Sequence, residues 1–350
     1  MLKLSLIKEP IMKTQVLKPT TDAIDLACSL IKNGEVVGVP TETVYGLAGD
    51  ANNPNAIKKI FEAKGRPADN PLIVHISNLS QLDGLVREFS SDAKALADAF
   101  WPGPLTIIMP KGPNVCDATC AGLDSVGIRM PANEVARNII EQSNTPFAAP
   151  SANISGKPSP TNANDVFEDM NGKISLIIDG GECIAGVEST VVSVLNETPV
   201  ILRPGVVTKS QMEAVLNKPV LIAKEVTAGV TNDTAVLSPG MKYKHYSPNA
   251  EIVILKGNLD QFAKFVNNQT QENIFAMCFD GEEQFLTVPA ISYGKADDPK
   301  TQAHNLFAVL RELDKKNAKI VYARCPEMDG VSLAVYNRLI RSAGFKIIDL

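Results

Sequence analysis

Residues 38–76 constrain the fold more than any other stretch, because a polar segment there separates two short apolar runs. The runs at residues 36–39 and 72–76 are typical of buried strands. Open α/β sheets bind their ligands beyond the carboxyl ends of their strands. Thr41 and Thr43 directly follow the first of these strands. We therefore expect a functional site at this edge of a sheet.

The helix and strand signals alternate in two different ways along the chain. Up to about residue 226 they are irregular, which favours an α/β fold with a twisted mixed sheet and helices packed around it. After residue 250 they alternate regularly, which predicts a small Rossmann-like domain with three layers, built from βαβ units. The predicted parts are an N-terminal extension at residues 1–14, a large α/β domain at 15–226, a linker at 227–249 and a small C-terminal α/β domain at 250–350.

Length and composition narrow the class of protein. A chain of 350 residues favours two domains, and a net charge of -5 argues against a nucleic-acid binder that relies on bulk positive potential. A nucleic-acid binder with a local basic groove is still compatible with this net charge. The six cysteines are scattered, which is typical of a reducing cytoplasm, and Cys116 and Cys120 lack a second ligand pair, so no protein-held metal is assigned. No stretch approaches the roughly 20 apolar residues of a membrane span.

Lys64 and Arg66 lie two positions apart, where a predicted helix over residues 57–63 stops and a loop begins. An arginine offers a bidentate fork and a lysine a point charge, so such a pair is suited to clamping a phosphate or a carboxylate. A solvated helix end is the alternative. Taken alone, the pair leaves both interpretations open.

His75 and Arg129 are polar residues within predicted buried strands. A histidine in an apolar strand is more often a satisfied core residue than a ligand-binding one. Arg129 differs, because an arginine in the buried strand at residues 126–130 must find an anion or a carbonyl partner. It is therefore a candidate for binding a carboxylate.

The loop at residues 151–161 is rich in small residues and hydroxyls. Ser151, Asn153 and Ser159 offer neutral donors suited to phosphate oxygens, and a hydroxyl-capped turn is the alternative. The chain contains neither the Walker A pattern nor GxGxxG. Any nucleotide bound here is therefore held by a phosphate-binding loop of another kind.

Together, these motifs resemble those of the YrdC-type threonylcarbamoyl-adenylate synthases in their longer, two-domain form. The resemblance covers about residues 15–350, including the linker segment at 238–248 and the C-terminal domain. The motifs that carry it are Pro40-Thr41-Glu42-Thr43-Val44-Tyr45-Gly46-Leu47, Lys64-Gly65-Arg66-Pro67, Asn70-Pro71-Leu72, Trp101-Pro102-Gly103-Pro104-Leu105-Thr106, Arg129-Met130-Pro131, Pro150-Ser151-Ala152-Asn153, Ser189-Thr190-Val191 and Arg203-Pro204-Gly205. It implies a YrdC-like twisted mixed sheet whose helices surround a concave cleft.

The resemblance also implies a reaction. L-Threonine, bicarbonate and ATP would give threonylcarbamoyl-AMP and pyrophosphate, which is a nucleotidyl transfer, and Mg²⁺ would enter mainly on the ATP phosphates. The product would pass to a threonylcarbamoyl transferase, which modifies the adenosine beside the anticodon in tRNAs reading codons that begin with A. Direct contact with tRNA is not required.

Carried over residue by residue, the resemblance implies two groups of site residues. L-Threonine would contact Thr43, His75, Arg129, Ala149 and Ser189. ATP would contact Lys64, Arg66, Asn70, Ser125, Ser151, Asn153, Ser159 and Arg203, of which Lys64 and Arg66 would also be catalytic. The expected mechanism is positioning and electrostatic stabilisation without a covalent nucleophile.

The linker contains Tyr243, His245 and Tyr246, an unusual composition for an idle tether. We expect it to fold over the cleft as a lid, excluding water from a labile carbamate and adenylate, with an inert ordered linker as the alternative. Two other functions stay open. One is an RNA-binding module without ATP turnover; the other, a carbamoyl-transferring maturation factor, is less favoured because the chain has no paired CxxC motifs.

Overall fold

The structure is a computed structural model that describes residues 13–226 and 246–350. Its strands are β1 Gln15–Leu17, β2 Val37–Val39, β3 Gly46–Asp50, β4 Ile73–His75, β5 Leu105–Pro110, β6 Ser125–Arg129, β7 Phe147–Ala148, β8 Leu176–Ile178, β9 Thr190–Ser193, β10 Val200–Arg203, β11 Leu221–Ile222, β12 Glu251–Lys256, β13 Ile274–Cys278, β14 Ala290–Ser292, β15 Ile320–Arg324 and β16 Ile347–Asp349. Its helices are α1 Thr21–Lys32, α2 Pro54–Lys64, α3 Ser91–Phe100, α4 Asp117–Cys120, α5 Glu134–Ser143, α6 Ala163–Met170, α7 Lys209–Leu216, α8 Leu259–Asn267, α9 Pro299–Lys315 and α10 Ser332–Ser342. In these two ranges no helix is long and apolar enough to cross a membrane.

The large sheet is mixed. Within the described residues it joins eleven strands in the order β1-β8-β2-β3-β7-β4-β6-β5-β9-β10-β11. Neighbours run in both directions, since β2 and β3 are antiparallel whereas β4 and β6 are parallel. Helices α1 and α5 share an apolar cluster with β2 and β8, in which Ala27, Ile31 and Ile139 are fully buried. The predicted mixed sheet with helices packed around it is confirmed.

Strand β3 is one that the sequence pattern did not predict. Gly46 and Gly49 carry no side chain, so the strand shows no clear alternation of polar and apolar residues. Pairing with β2 on one side and β7 on the other nevertheless buries Leu47 completely. A Cβ atom at Gly49 would lie 3.2 Å from Cδ1 of Ile60, so the glycine allows helix α2 to pack closely against the strand.

Lys64 belongs to helix α2, although the sequence pattern placed it in the following loop. It is the last helical residue, and Gly65 ends the helix in the left-handed conformation with φ 60°. This ending turns the chain so that Arg66 lies just beyond the helix. The two cations therefore approach the site from one helix end, with Lys64 buried and Arg66 partly exposed.

The small sheet is parallel throughout. Five strands of the described chain follow the order β14-β13-β15-β12-β16. Helix α8 covers one face through Phe262 and Val266, whereas α9 and α10 cover the other through Leu306, Leu310 and Leu339. The predicted three-layer domain is confirmed. Strand β14 was not predicted, because its three residues are only half-buried and give no apolar run.

The two α/β units share one hydrophobic cluster. Val44 and Val187, which belong to loops of the large sheet, pack in the same buried cluster as Tyr246 and the apolar faces of α9 and α10. The Tyr246 ring lies 5.2 Å from the Phe307 ring of α9. The C-terminal unit therefore packs directly against the loops that flank the carboxyl ends of the large sheet's strands.

Candidate active site

A cleft opens where polar residues meet at the strand ends of the large sheet. It encloses about 750 Å³, open solvent at its mouth included. Its lining includes eleven of the residues that the sequence assigned to the site or the lid: Thr43, Lys64, Arg66, His75, Arg129, Ala149, Ser151, Asn153, Ser189, Arg203 and Tyr246. Thr41, Lys157 and Glu188 also line it and were not assigned roles. The fold thus brings most of the expected residues together.

Strand register sets the positions of two key side chains. Parallel strands β4 and β6 pair His75 with Arg129, so both residues lie side by side at the carboxyl ends of their strands. Ser189 directly precedes β9, and Arg203 is the last residue of the antiparallel strand β10. These ends meet at one edge because β6, β5, β9 and β10 are successive neighbours in the sheet.

Arg129 is held by a buried ion pair. One of its terminal nitrogens, Nη2, donates to Oε1 of Glu42 at 2.7 Å, and both side chains are at least nine-tenths buried. Burial acts to raise the pKa of Glu42, but the adjacent Arg129 outweighs it and holds the pKa below its ordinary value. Within the described residues, Arg129 Nε and Glu42 Oε2 have no hydrogen-bond partner. Arg129 therefore retains donor capacity for a carboxylate in the cleft.

His75 is a neutral hydrogen-bonding group. Burial, reinforced by the positive charge of Arg129, lowers the pKa of His75 to about 3. Its Nδ1 lies 3.1 Å from the carbonyl oxygen of Ile73, which only accepts, so Nδ1 carries the proton. The imidazole is also stacked against Phe147, with ring centroids 5.6 Å apart. This tautomer leaves Nε2 as an acceptor for a donor group of a ligand.

Lys64 ties helix α2 to the loop at residues 151–159. Its Nζ donates to the carbonyl oxygens of Ser151 and Asn153, the second at 2.9 Å, while its own carbonyl accepts from the Ser155 amide at 2.8 Å. Burial and the neighbouring Arg66 lower the pKa of Lys64 to about 7. A lysine with this pKa changes between the ammonium and the neutral amine near neutral pH.

The loop itself is ordered by its own amide side chain. Asn153 donates through Nδ2 to the carbonyl oxygens of Ile154 and Lys157, both at 2.8 Å, and accepts from Ser151 Oγ at 2.6 Å. These bonds match the hydroxyl- and amide-capped turn that the sequence left as an alternative. They also fix Ser151 and Asn153 at the cleft wall. The capped turn and the loop expected to hold phosphate are therefore the same segment.

Arg203 and Ser189 form the opposite wall. Arg203 Nε donates to the Ser189 carbonyl, and its Nη2 donates to Ser189 Oγ, both at 3.0 Å. Ser189 Oγ also lies 2.8 Å from Thr106 Oγ1. Because a single arginine holds both the backbone and the side chain of Ser189, the two residues form one rigid unit.

Glu188 is the feature of the cleft that sequence reasoning missed. Among the described lining residues it is the one carboxylate, and it is fully engaged: Ser159 donates to Oε1 at 2.6 Å and Arg338 Nε donates to Oε2 at 2.7 Å. The sequence does indicate that Glu188 has a partner, because a glutamate between the buried Val187 and strand β9 needs a hydrogen-bond donor or a cation. The sequence could not identify that partner, since Arg338 lies 150 residues further along the chain.

Three expected ATP-site residues do not line the cleft. Ser159 is buried behind it, bonded to Glu188. Ser125 lines a separate small cavity together with Leu72, which precedes β4, and with residues of β4, β5, β6 and β9. Asn70 is completely buried, and its side-chain amide has no hydrogen-bond partner within the described chain. The backbone carbonyl of Asn70 accepts a hydrogen bond from Arg66 Nη2 at 3.3 Å. Of the expected lid residues, Tyr243 and His245 lie outside the described residues.

The fold and the site together define a two-unit α/β protein with a cation-lined cleft, and comparisons with known proteins agree. Residues 29–205 match a family model described as "Telomere recombination", and residues 207–344 match the model of the threonylcarbamoyl-AMP synthase C-terminal domain. A threonylcarbamoyl-AMP synthase of Pyrococcus abyssi is 44% identical over 93% of this chain and 95% of its own, and one of Bacillus subtilis is 42% identical over 96% and 97%.

A solved structure extends the similarity to three dimensions. The crystal structure of Pyrococcus abyssi Sua5 complexed with L-threonine is 41% identical, covers 96% of this chain and 100% of its own, and superimposes with a TM-score of 0.88. This chain belongs to the threonylcarbamoyl-AMP synthase family.

Proposed function

We propose that the cleft joins L-threonine, bicarbonate and ATP to give threonylcarbamoyl-AMP and pyrophosphate. One observation carries this: Arg129, whose buried Nε has no hydrogen-bond partner among the described residues, lines the same cleft as Lys64 and Arg66. We assign the threonine carboxylate to Arg129 and the ATP phosphates to Lys64 and Arg66, so that the two substrates would lie next to each other. The Pyrococcus abyssi relative is described with L-threonine bound, which supports the amino-acid half of the proposal.

Each residue has a defined part in this proposal. Arg129 neutralises the threonine carboxylate, and the His75 Nε2 acceptor receives a hydrogen bond from the same substrate. The threonine nitrogen first attacks the carbon of bicarbonate, a C–O bond breaks and water leaves, which gives the carbamate. A carbamate oxygen then attacks the α-phosphorus of ATP, and the bond to the departing pyrophosphate breaks. Lys64, Arg66 and Arg203 stabilise the charge that builds on the phosphoryl oxygens. This is a nucleotidyl transfer that proceeds by positioning and electrostatics.

Magnesium enters as part of the nucleotide substrate. The cleft is poorly suited to hold a metal ion with its own side chains. Both oxygens of its described carboxylate, Glu188, already accept hydrogen bonds, one from Ser159 and the other from Arg338. Nor do the described residues contain a group of three or more His, Cys, Asp or Glu side chains placed to hold a metal. Mg²⁺ bound to the ATP phosphates would share their charge with the cations of the cleft.

The proposal extends to the fate of the product. Threonylcarbamoyl-AMP is a reactive mixed anhydride, so a threonylcarbamoyl transferase must consume it to modify tRNA. All six cysteines are free thiols, which supports a reducing, cytoplasmic setting. Contact with tRNA is not required by the chemistry of the cleft, and two of its arginines, Arg129 and Arg203, are more than nine-tenths buried, unlike the exposed cations of a nucleic-acid-binding stripe.

Release of pyrophosphate tests the function directly. The expected result is turnover that requires ATP, L-threonine and bicarbonate together, with threonylcarbamoyl-AMP detected by mass spectrometry. Omission of any one substrate serves as the control. Salt-sensitive tRNA binding without pyrophosphate release would instead support the RNA-binding alternative.

The pKa of Lys64 predicts how ATP binding responds to pH. Because burial lowers this pKa to about 7, Lys64 in the free protein is mostly neutral above that pH. Bound phosphates favour the ammonium, so ATP binding takes up a proton, and ATP affinity should be full below pH 7 and fall by up to about tenfold per pH unit above it. Calorimetric titrations between pH 7.5 and 9.5, in two buffers of different ionisation enthalpy, measure both quantities.

The Lys64→Arg variant is the control for this prediction. Arginine keeps its charge throughout that pH range, so the pH slope and the proton uptake should both disappear. Proton uptake near zero in the parent protein would contradict the assignment of Lys64 to the phosphates.

A further inference from the structure

The C-terminal unit places a charged side chain directly behind the cleft. Arg338, near the middle of helix α10, is completely buried, and its Nε donates to Glu188 Oε2 at 2.7 Å. The same guanidinium donates to Asn337 Oδ1 at 2.8 Å and lies over the Tyr246 ring at 5.7 Å. These contacts hold the guanidinium of Arg338 in position beside the Glu188 carboxylate.

Glu188 connects this arginine to the cleft. Its side chain lines the cavity, its Oε1 accepts from Ser159, and its backbone leads directly into Ser189, which Arg203 holds. Glu188 is at least nine-tenths buried. Burial acts to raise the pKa of Glu188, but Arg338 and, after it, the cleft-lining Arg203 hold the pKa below its ordinary value, so without Arg338 the carboxylate would depend on the cations of the cleft.

An unpaired negative charge at this position would oppose the proposed substrate. ATP carries several negative charges, and like charges brought together in a poorly solvated site repel strongly. The cations that line the cleft would have to compensate Glu188 as well as the phosphates. With Arg338 in place, the Glu188 charge is balanced from behind, and the cations at the front remain available.

We propose that Arg338 is a positioning residue of the active site: it neutralises Glu188 and holds its carboxylate against Ser159, so that the C-terminal unit sets the affinity of the cleft for ATP. This inference rests on the proposed function, since it assumes a polyanionic nucleotide as the ligand. It gives the C-terminal unit an electrostatic role in the reaction.

The contacts of two other arginines show why this pair is singled out. Arg324 forms a pair of the same kind with Glu282 at 3.0 Å, but both residues belong to the C-terminal unit, away from the residues that line the cleft. Arg311 bridges the two units by donating to the Pro158 carbonyl and to Asp169, neither of which lines the cleft. Arg338 is distinguished because its partner carboxylate faces the ligand space.

The Arg338→Gln variant tests the proposal. We expect its KM for ATP to rise by about 10- to 100-fold, with a similar loss of affinity for α,β-methylene-ATP, which cannot release pyrophosphate. The affinity for L-threonine and kcat should change much less. Arg324→Gln is the matched control, because it removes an arginine from a pair within the C-terminal unit, and its KM for ATP should stay at the parent value.

A second substitution separates charge from scaffolding. In the double variant Glu188→Gln/Arg338→Gln, the uncompensated charge is gone, so nucleotide affinity should recover most of what Arg338→Gln lost. A double variant no better than Arg338→Gln would overturn the proposal. An equal loss of threonine and nucleotide affinity in Arg338→Gln would do the same, since it would indicate general loosening of the cleft.

Arg338→Lys covers the case in which Arg338→Gln does not fold. Lysine keeps the charge, so the folded variant should bind α,β-methylene-ATP within about threefold of the parent protein, even though the separate guanidinium contacts to Glu188 and Asn337 are not all reproduced. Folded Arg338→Lys with an affinity reduced tenfold or more would overturn the proposal. A parent protein that bound no nucleotide at all would overturn the proposed function itself, and the inference with it.

Discussion

Replacing Arg66 by alanine is expected to slow pyrophosphate release by about 10²- to 10³-fold, the usual cost of removing one preorganised donor from developing negative charge. Arg66 lines the cleft just beyond the left-handed Gly65, and its guanidinium lies 5.7 Å from the centre of the Phe61 ring. Its Nη2 also donates to the Asn70 carbonyl. These contacts hold the Arg66 guanidinium in place before ATP binds. The loss of activity in Arg66→Ala should therefore appear mainly in kcat.

Two control variants make the Arg66 result interpretable. Arg66→Lys keeps a positive charge without the planar fork, so its rate should lie between those of the parent and Arg66→Ala. Arg87→Ala removes an exposed arginine paired with Asp124, outside the cleft, and should leave the rate unchanged. Pyrophosphate release at the parent rate in Arg66→Ala would contradict the role given to this residue.

Replacing Arg129 by glutamine is expected to have two separate effects. Loss of the carboxylate partner should weaken L-threonine binding by about 100-fold, since a charge-assisted bidentate contact is removed. Glu42 would also be left buried without its cation, which should lower the free energy of unfolding by about 3–5 kcal/mol. Calorimetric binding of L-threonine and urea denaturation measure the two effects.

A double variant separates the two consequences of losing Arg129. In Glu42→Gln/Arg129→Gln the buried charge is gone from both sides, so most of the stability should return. Affinity for L-threonine should not return, because no guanidinium faces the carboxylate. Recovery of threonine affinity together with stability would show that Arg129 acts only through the fold.

Local sequence patterns were enough to predict much of the architecture. Strands β2 and β4 lie within the two apolar runs that predicted buried strands, 36–39 and 72–76. Every residue of these two strands is buried, and a short apolar run is a local property of the chain. Strands β3, β7 and β14 were missed because they are short or rich in glycine and alanine, and pairing with neighbours rather than their own pattern makes them strands.

The candidate site could be predicted only in part. A buried arginine at position 129 must find a partner, and that reasoning holds for any buried charge. The identity of the partner, Glu42, depends on the loop after β2 reaching the end of β6, which no local pattern encodes. The alignment of His75 with Arg129 likewise follows from the parallel register of β4 and β6.

The separation of 150 residues between Glu188 and Arg338 affects when a newly made molecule can bind ATP. Domains generally fold in order during synthesis, so the large sheet can form while helix α10, Ser332–Ser342, is still to be translated. At that stage Glu188 has no arginine behind it. On the proposed role of Arg338, the growing chain binds ATP poorly until helix α10 has been translated and has packed behind Glu188.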